Sequence, residues 1–353
     1  MNLVEHTARK LFARLEQDQL RYAVLRNYED LMSLTRPDGT HTDVDLVIDS
    51  AEVPRWRQLL SETAYEAGWD AVSECDHWAR SRVRTHNIEV FRLYKRSPLT
   101  CLQIDVFHGV LVLGLPLLDE RELLESRSYD EGRGITRINT IHENVFRLAQ
   151  IAGLYPNSTA KVERYRQKVL ACLTQSGPQY RRTASLLFGP ATGSALESLV
   201  ARNMTHFQLQ MQLMRAYFFA KYAAAHPLEI PRLLWNRARD SVSRFYTDQC
   251  GAVVRIHAPN QEVRSMVRSA LDELVRQCFM DEWTEQKSPK AGWAGRRRME
   301  QGAWIVTWSE RHEAAIDLSG AVNRAMVLDG LWNYVISRHR LVTSRVSQAT
   351  ECA

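Results

Sequence analysis

The sequence "HTDVDLVID", residues 41–49, places carboxylates inside a run of β-branched and aliphatic residues. Such a run predicts a buried strand, and a buried strand tolerates charges only where they are paired or bind an ion. Side chains alternate between the faces of a strand, so Asp43 and Asp45 are expected on one face, where they can share a divalent cation. The alternative is that these acids lie at an exposed strand end and form caps or salt bridges. Asp49, at the other end of the strand, is expected to cap a turn or a helix.

A second segment, "CLQIDVF" (101–107), also holds one acid, Asp105, in an apolar strand-like run. Mg²⁺ prefers oxygen ligands and usually retains waters and substrate phosphates. A third carboxylate from a neighbouring strand would complete a two-metal arrangement, in which one ion activates the attacking oxygen and the other neutralises the leaving phosphate. The sequence therefore predicts a metal site made by Asp43, Asp45 and Asp105.

The order of predicted elements divides the chain into three parts. Residues 1–138 alternate helices with strands, including a helix that ends at Gly68 and an antiparallel meander that begins at residues 77–85. Residues 139–246 follow a helical pattern, and residues 247–353 return to strands and helices. The predicted fold class is α+β: a mixed sheet with helices, then a helical lobe, then a small C-terminal α/β segment.

Charge is distributed unevenly over these parts. Residues 1–150 carry 19 Lys and Arg against 24 Asp and Glu, a net charge of −5. Residues 151–246 carry 13 against 4, a net charge of +9, and residues 247–353 carry 14 against 13. An acidic part beside a basic part suits a site that holds cations on one wall and a polyanion on the other. The alternative is a basic surface that serves solubility or weak contact with nucleic acid.

Three segments together carry a family resemblance: "YAVLRNYEDL" (22–31), "TDVDLVID" (42–49) and "LQIDVF" (102–107). They resemble the nucleotidyltransferase superfamily with the DNA-polymerase-β-like palm, in the subgroup fused to a thymidylate-kinase-like domain. The resemblance implies that Asp43, Asp45 and Asp105 are catalytic metal ligands, that Mg²⁺ (or Mn²⁺) is the cofactor, and that a nucleoside triphosphate is the substrate.

The superfamily's usual Gly-Ser pair, which contacts the nucleotide phosphates, is replaced here by "LRN" (25–27). Arg26 can bind a phosphate through its guanidinium and Asn27 can hydrogen-bond one. The alternative for Arg26 is a surface ion pair. Because the Gly-Ser pair is missing, the choice of nucleotide stays open.

A basic helix in the second part offers further phosphate ligands. In "STAKVERYRQKVL", Lys161, Arg164 and Lys168 are spaced i, i+3, i+7 and fall on one helical face. Three cations there can close over a triphosphate, and a solvated surface is the alternative. His108 and His142 are expected to be packed or hydrogen-bonded and not catalytic.

The third part lacks the loop that a kinase needs. A P-loop uses glycines to wrap its backbone around a phosphate, with Lys and Ser/Thr after them. After the strand "GAVVRI", Ala258, Gln261 and Val263 occupy the glycine positions, Arg264 replaces the lysine, and only Ser265 fits. We therefore expect a degenerate kinase-like domain without kinase activity, or an unrelated α/β segment. A basic tract at Arg296–Arg298 is either an anion contact or a loop.

These features favour a Mg²⁺-dependent nucleotidyltransferase that moves a nucleoside monophosphate to an unidentified hydroxyl or phosphate acceptor. The alternatives are an inactive nucleotide-sensing or scaffold protein and, less favoured, a nucleic-acid-binding protein. The six cysteines are scattered, which favours reduced thiols in the cytoplasm and argues against zinc. The N-terminus is an amphipathic pattern and not a signal peptide, and no apolar run approaches the roughly 20 residues of a membrane span.

Overall fold

The computed structural model describes most of the chain and contains three hydrophobic cores. The described residues are 3–26, 43–75, 88–112, 115–154, 159–235, 238, 252–276, 282–286, 303–338 and 340–344. Asn27, the first predicted meander strand at 77–85 and the basic tract at Arg296–Arg298 lie outside these ranges. Within the ranges, no helix combines the length and the apolar character that crossing a bilayer requires.

An eight-stranded mixed sheet organises the N-terminal part. In spatial order its strands are β14 (Arg340–Ser344), β3 (Ala71–Cys75), β4 (Ile88–Lys95), β5 (Thr100–Phe107), β2 (Val44–Ile48), β1 (Tyr22–Val24), β9 (Ile135–Arg137) and β8 (Ser128–Asp130). β3, β4 and β5 form an antiparallel meander, whereas β5 pairs with β2 in parallel. The α+β class with a mixed sheet is therefore confirmed.

Two helices, α1 (Leu3–Gln17) and α2 (Val53–Ala67), cover one face of this sheet. α1 forms because its apolar residues recur at helical spacing, and Val4, Leu11 and Leu15 are buried on one side. α2 ends as predicted at Gly68, whose φ of 93° is the left-handed conformation that favours glycine at a helix end. Their core includes the sheet residues Leu46, Ile104 and Val106.

The opposite face of the sheet is covered by helices that follow a β-hairpin. The hairpin is β6 (Gly109–Val112) with β7 (Leu115–Asp119), and the short helix α3 (Glu120–Glu125) comes after it. The covering helices are α4 (Thr140–Leu154), α5 (Thr159–Phe188), α6 (Thr192–Val200) and α7 (Met204–Ala225). α5 kinks at Ser176, because Pro178 follows and cannot supply a helical hydrogen bond. Val47 and Phe107 of the sheet pack into this second core.

The C-terminal part contains a four-stranded parallel sheet. Its spatial order is β11 (Glu282–Glu285), β12 (Ala303–Trp308), β10 (Ala252–His257) and β13 (Ile316–Asp317), and the helices α8 (Gln261–Arg276) and α9 (Arg324–Arg338) pack against it. At the position of the degenerate P-loop, Oδ1 of Asn260 accepts a hydrogen bond from the Val263 N–H at 2.9 Å and caps α8.

The first and third parts of the chain contribute strands to one sheet and contact each other. β14, near the C-terminus, pairs antiparallel with β3 of the first sheet. Tyr94 of β4 also contacts Trp332 of α9 edge-on, with ring centroids 6.2 Å apart. The three-part division at residues 138 and 246 stays a prediction, and the third part is joined to the first through these contacts.

Gly189 lies at the turn between α5 and α6. Of the glycines in the helical part, we expect it to tolerate substitution least. Its φ is 81°, and a Cβ added there would lie 2.6 Å from the Tyr217 ring. Gly189→Ala should therefore lower the free energy of unfolding by about 2 kcal/mol or more, measured by urea denaturation. The matched control is Gly193→Ala in α6, where a Cβ has open space; it should be neutral or stabilising by up to about 1 kcal/mol. Equal stability of the two variants would contradict this account.

Candidate active site

Asp45 and Asp105 lie side by side on adjacent strands. The parallel register of β2 and β5 pairs their Cα atoms. Because side chains alternate along a strand, Asp45 shares a face with Val47, and Asp105 shares a face with Phe107. Those two apolar residues belong to the core between the sheet and helices α4 to α7. Both acids therefore face the side of the sheet that these helices cover. Asp45 is 1% exposed and Asp105 9% exposed.

Asp43 is the third acid of the cluster and lies just outside strand β2. It immediately precedes β2 and is exposed. Its negative charge contributes to raising the pKa of Asp105, which places the three carboxylates in one electrostatic group. The interpretation of the acids as residues at an exposed strand end therefore suits Asp43 only. Asp49, by contrast, caps a turn as predicted, because its Oδ1 accepts a hydrogen bond from the Ala51 N–H at 3.0 Å.

Arg26 binds the buried carboxylate of Asp45 with two hydrogen bonds. Its Nε donates to Oδ2 of Asp45 at 2.5 Å, and its Nη2 donates to Oδ1 at 3.1 Å. Its Nη1 donates to Gln150 at 2.8 Å and to the Tyr165 hydroxyl at 3.3 Å. Burial alone would lower the pKa of Arg26, but the Asp45 carboxylate raises it above its ordinary value. The guanidinium expected to contact a phosphate thus forms a buried ion pair, and not the surface pair considered as the alternative.

Burial raises the pKa of the Asp105 carboxyl well above its usual range, and the charges of Asp45 and Asp43 raise it further. A hydrogen bond from Gln103, 3.0 Å from Nε2 to Oδ1, and the charge of Arg26 act in the opposite direction. Burial is the largest of these effects, and neither the Gln103 hydrogen bond nor the cation of Arg26 outweighs it. The cluster therefore favours an added cation or a proton.

The three predicted cations of α5 separate in the structure. Lys161 and Arg164 flank the Tyr165 ring, with Nζ of Lys161 and Cζ of Arg164 each 5.8 Å from its centroid. The Tyr165 hydroxyl accepts from Arg26, so this tyrosine contacts both the two cations and the arginine that pairs with Asp45. Lys168 instead lines a different cavity. Lys161 and Lys168 are seven residues apart, which is about two turns of helix, so they share a face but lie about 10 Å apart along the axis and pack against different elements.

An open cavity of about 410 Å³ is lined by Asp105 and is within the size range of ligand sites. Its lining includes Arg26, Asp105, Phe107, Gln150 and Arg215. Burial lowers the pKa of Arg215, a cation that our sequence analysis missed. The available signal was a single arginine in the apolar stretch "MQLMRAYFF" of α7. The cavity thus combines the carboxyl group of Asp105 and two guanidinium groups with an aromatic wall.

The two histidines are held in hydrogen-bonding networks. Nε2 of His108 lies 3.1 Å from Oε1 of Glu89, and its Nδ1 lies 3.3 Å from Oγ of Ser50. Nδ1 of His142 lies 3.0 Å from Oγ of Ser126, and burial lowers the pKa of His142. Both are packed as predicted.

The donor set fits a divalent cation by its chemistry. Carboxylate oxygens are the ligands that Mg²⁺ prefers, and a divalent cation would stabilise the charged form of Asp105, which burial disfavours. Both Asp45 oxygens, however, accept from Arg26. Over the described ranges, no group of three or more His, Cys, Asp or Glu side chains is arranged to hold a metal ion. Metal binding by Asp45 therefore requires Arg26 to release it.

Comparisons with known proteins found no match: no family model, no curated protein and no solved structure matches this chain.

Proposed function

We propose that this chain is a Mg²⁺-dependent nucleotidyltransferase, which transfers a nucleoside monophosphate from an NTP to a hydroxyl or phosphate acceptor and releases pyrophosphate. The observation that carries the proposal is the register of Asp45 beside Asp105 on parallel strands, with Asp43 in the same electrostatic cluster. A nucleotidyltransferase-like fold of the first part belongs to the same proposal.

In this proposal the acids hold the metal and the cations hold the triphosphate. Asp43, Asp45 and Asp105 would bind Mg²⁺ (or Mn²⁺), which when bound neutralises phosphate charge and makes the acceptor oxygen a better nucleophile. Asp105, whose pKa is raised by burial, is suited to take a proton from an acceptor hydroxyl. Arg215 in the cavity wall and Lys161 and Arg164 beside Tyr165 are suited to hold phosphate oxygens.

Arg26 has a double role in this proposal. With the site free, its guanidinium neutralises Asp45 inside the protein. With metal and nucleotide bound, Asp45 would hold the metal, and Arg26 would be free to bind a phosphate oxygen, as the family resemblance implies. The same cation thus serves either an internal carboxylate or the substrate.

A second candidate function, an inactive nucleotide sensor or scaffold, is favoured by one observation. The Arg26 guanidinium occupies both oxygens of a proposed metal ligand. If this pair is permanent, Asp45 is a structural residue, and the cavity binds a nucleotide without reaction.

Two measurements in sequence separate these functions. The first is calorimetric titration of the full chain with ATP, GTP, CTP and UTP, each with Mg²⁺ and with EDTA. The second is pyrophosphate release from the NTP that binds, in the presence of fractionated small-molecule extract as acceptor source. We expect Mg²⁺-dependent binding of at least one NTP and acceptor-dependent release of pyrophosphate. Binding without release in any fraction would favour the sensor, and failure of all four NTPs to bind would contradict both the nucleotidyltransferase and the sensor.

A further inference from the structure

Helix α7 is apolar on two opposite sides. The side that packs into the helical core consists of Phe207, Met211, Met214 and Phe218. The other side is exposed and also consists mainly of apolar residues: Leu209, Leu213, Ala216, Tyr217 and Ala220. A helix that is apolar on all sides is normally buried on all sides. The exposed side of α7 therefore indicates a surface that a partner covers.

The end of α5 extends this exposed surface. Leu186 is exposed, and its carbonyl oxygen accepts a hydrogen bond from Nζ of Lys221 on α7 at 2.7 Å. The turn that follows, at Gly189, lies against the Tyr217 ring. We call four large side chains the apolar patch, each between 42% and 61% exposed: Leu186, Leu209, Leu213 and Tyr217. The two helices thus present one apolar patch.

Positive charge accompanies the apolar patch. Residues 177–225, from the kink of α5 to the end of α7, carry five Lys and Arg against one acid, Glu197. Arg182 is exposed one turn before Leu186, Arg181 is exposed beside it, and Lys221 is exposed one turn after Tyr217. Within the described part of the chain, none of these three cations forms an ion pair. The patch therefore combines exposed leucines with positive charge that is not neutralised internally.

This charge discriminates between the surfaces that could cover the patch. A second copy of the chain would bring cations against cations, which is unfavourable. The phosphates of a nucleic acid would pair with the cations but would leave the leucines without an apolar contact. An anionic bilayer supplies both requirements, because its headgroups are negative and the acyl chains beneath them are apolar.

We propose that the apolar patch docks on the surface of a membrane that contains anionic lipids, with α7 lying parallel to the bilayer plane. The three leucines enter the boundary between headgroups and acyl chains, and Tyr217 lies at the level of the headgroups, where tyrosine is enriched. Arg181, Arg182 and Lys221 contact lipid phosphates. The proposal goes beyond nucleotidyl transfer and does not rest on it, because no side chain of the patch lines the cavity beside Asp105.

The test is co-sedimentation of the full chain with lipid vesicles. One set contains phosphatidylglycerol and phosphatidylcholine in equal parts, and the other contains phosphatidylcholine alone. We expect saturable binding to the mixed vesicles and affinity lower by about 100-fold for phosphatidylcholine alone, since each of three cations near an anionic surface contributes about five-fold. Raising the salt concentration should weaken binding to the mixed vesicles.

The double variant Leu209→Gln with Leu213→Gln should bind the mixed vesicles about 10-fold or more weakly, because it removes apolar area from the contact. Both positions are exposed, so the melting temperature should stay that of the parent chain. The matched control is Val322→Gln with Met326→Gln, which replaces two exposed apolar side chains in the C-terminal part. This control should bind as the parent chain does.

A charge variant tests the second half of the proposal. Arg182→Gln should weaken binding to the mixed vesicles about five-fold. Arg276→Gln, an exposed arginine of α8, is its control and should have no effect.

Three results would overturn the proposal. The first is absence of binding to the mixed vesicles, or equal binding to both sets. The second is equal affinity of the leucine double variant and its control, which would indicate charge attraction without docking of the patch. The third is a dimer in analytical ultracentrifugation that Leu209→Gln with Leu213→Gln dissociates, since a second copy of the chain would then cover the patch.

Discussion

Asp105→Asn is expected to reduce Mg²⁺-dependent pyrophosphate release by about 10³-fold or more, since phosphoryl-type transfer depends mainly on positioning and charge neutralisation. The folded protein should lose no stability. Asp105 is a buried carboxylate whose pKa is raised by burial and by the charges of Asp45 and Asp43, so the neutral amide relieves an unfavourable charge. In EDTA, the melting temperature of the variant should equal or exceed that of the parent chain. The opposed effects on activity and stability distinguish a metal ligand from a structural acid.

Asp49→Asn is the matched control, with the same chemical change just after the neighbouring strand β2. Asp49 caps a turn and pairs with Arg21 at 3.0 Å, on the far side of β2 from Asp43. Its variant should retain the parent turnover. Full turnover in Asp105→Asn, or an equal loss in both variants, would contradict the assignment of Asp105.

Arg26→Met is expected to lower the free energy of unfolding by about 3–5 kcal/mol in EDTA, the range for removing one partner of a buried ion pair. The Asp45 side chain is 1% exposed and that of Arg26 is 11% exposed, so little water reaches the remaining charge. Urea denaturation measures the effect. Arg21→Met, which breaks the more exposed pair with Asp49, is the control and should lose less than about 1 kcal/mol.

The effect of Mg²⁺ on the stability of these variants should show whether Asp45 is a metal ligand or a structural carboxylate. If Arg26 and Mg²⁺ compete for Asp45, saturating Mg²⁺ stabilises Arg26→Met more than the parent chain, since ligands that bind only the folded state stabilise it. The double variant Arg26→Met with Asp45→Asn should be more stable in EDTA than Arg26→Met and should gain little from Mg²⁺. Equal stabilisation of the parent and Arg26→Met by Mg²⁺ would contradict competition at Asp45.

The local sequence pattern identified Asp45 and Asp105 as unusual acids within strands, because the geometry of a single strand is a local property. An apolar run with period-two alternation sets which residues share a face, and Asp45 and Asp105 each stand out in such a run. What pattern could not supply was the strand order. The parallel pairing of β2 with β5 brings together residues 60 positions apart, and only tertiary structure decides that register.

The cations were harder to predict because a charged side chain is placed by its partner, not by its own segment. Arg26 pairs with Asp45 across the sheet, and Arg215 comes to the cavity from α7. Lys168 shares a sequence stripe with Lys161, but it faces Arg137 and Arg147, which come from other elements. The partners of such residues are fixed by the packing of distant segments, which spacing along one helix does not encode.

Long-range pairing also explains what the sequence missed in the C-terminal part. β14 was not anticipated as a strand of the first sheet, because a short terminal strand acquires its pairing only when the edge of β3 is already in place. The absence of P-loop glycines, in contrast, could be recognised directly from the sequence. Backbone wrapping of a phosphate needs small residues at fixed positions, and the structure has an Asn260-capped helix start there.

The most direct test of the acidic site is a crystal structure with Mn²⁺ and a non-hydrolysable analogue of the NTP that binds. We expect anomalous density for Mn²⁺ between the Asp45 and Asp105 carboxylates, with Arg26 released from Asp45 and the phosphates in the cavity beside Arg215. Nucleotide bound elsewhere, or Arg26 still paired with Asp45 and no Mn²⁺ at either acid, would contradict it.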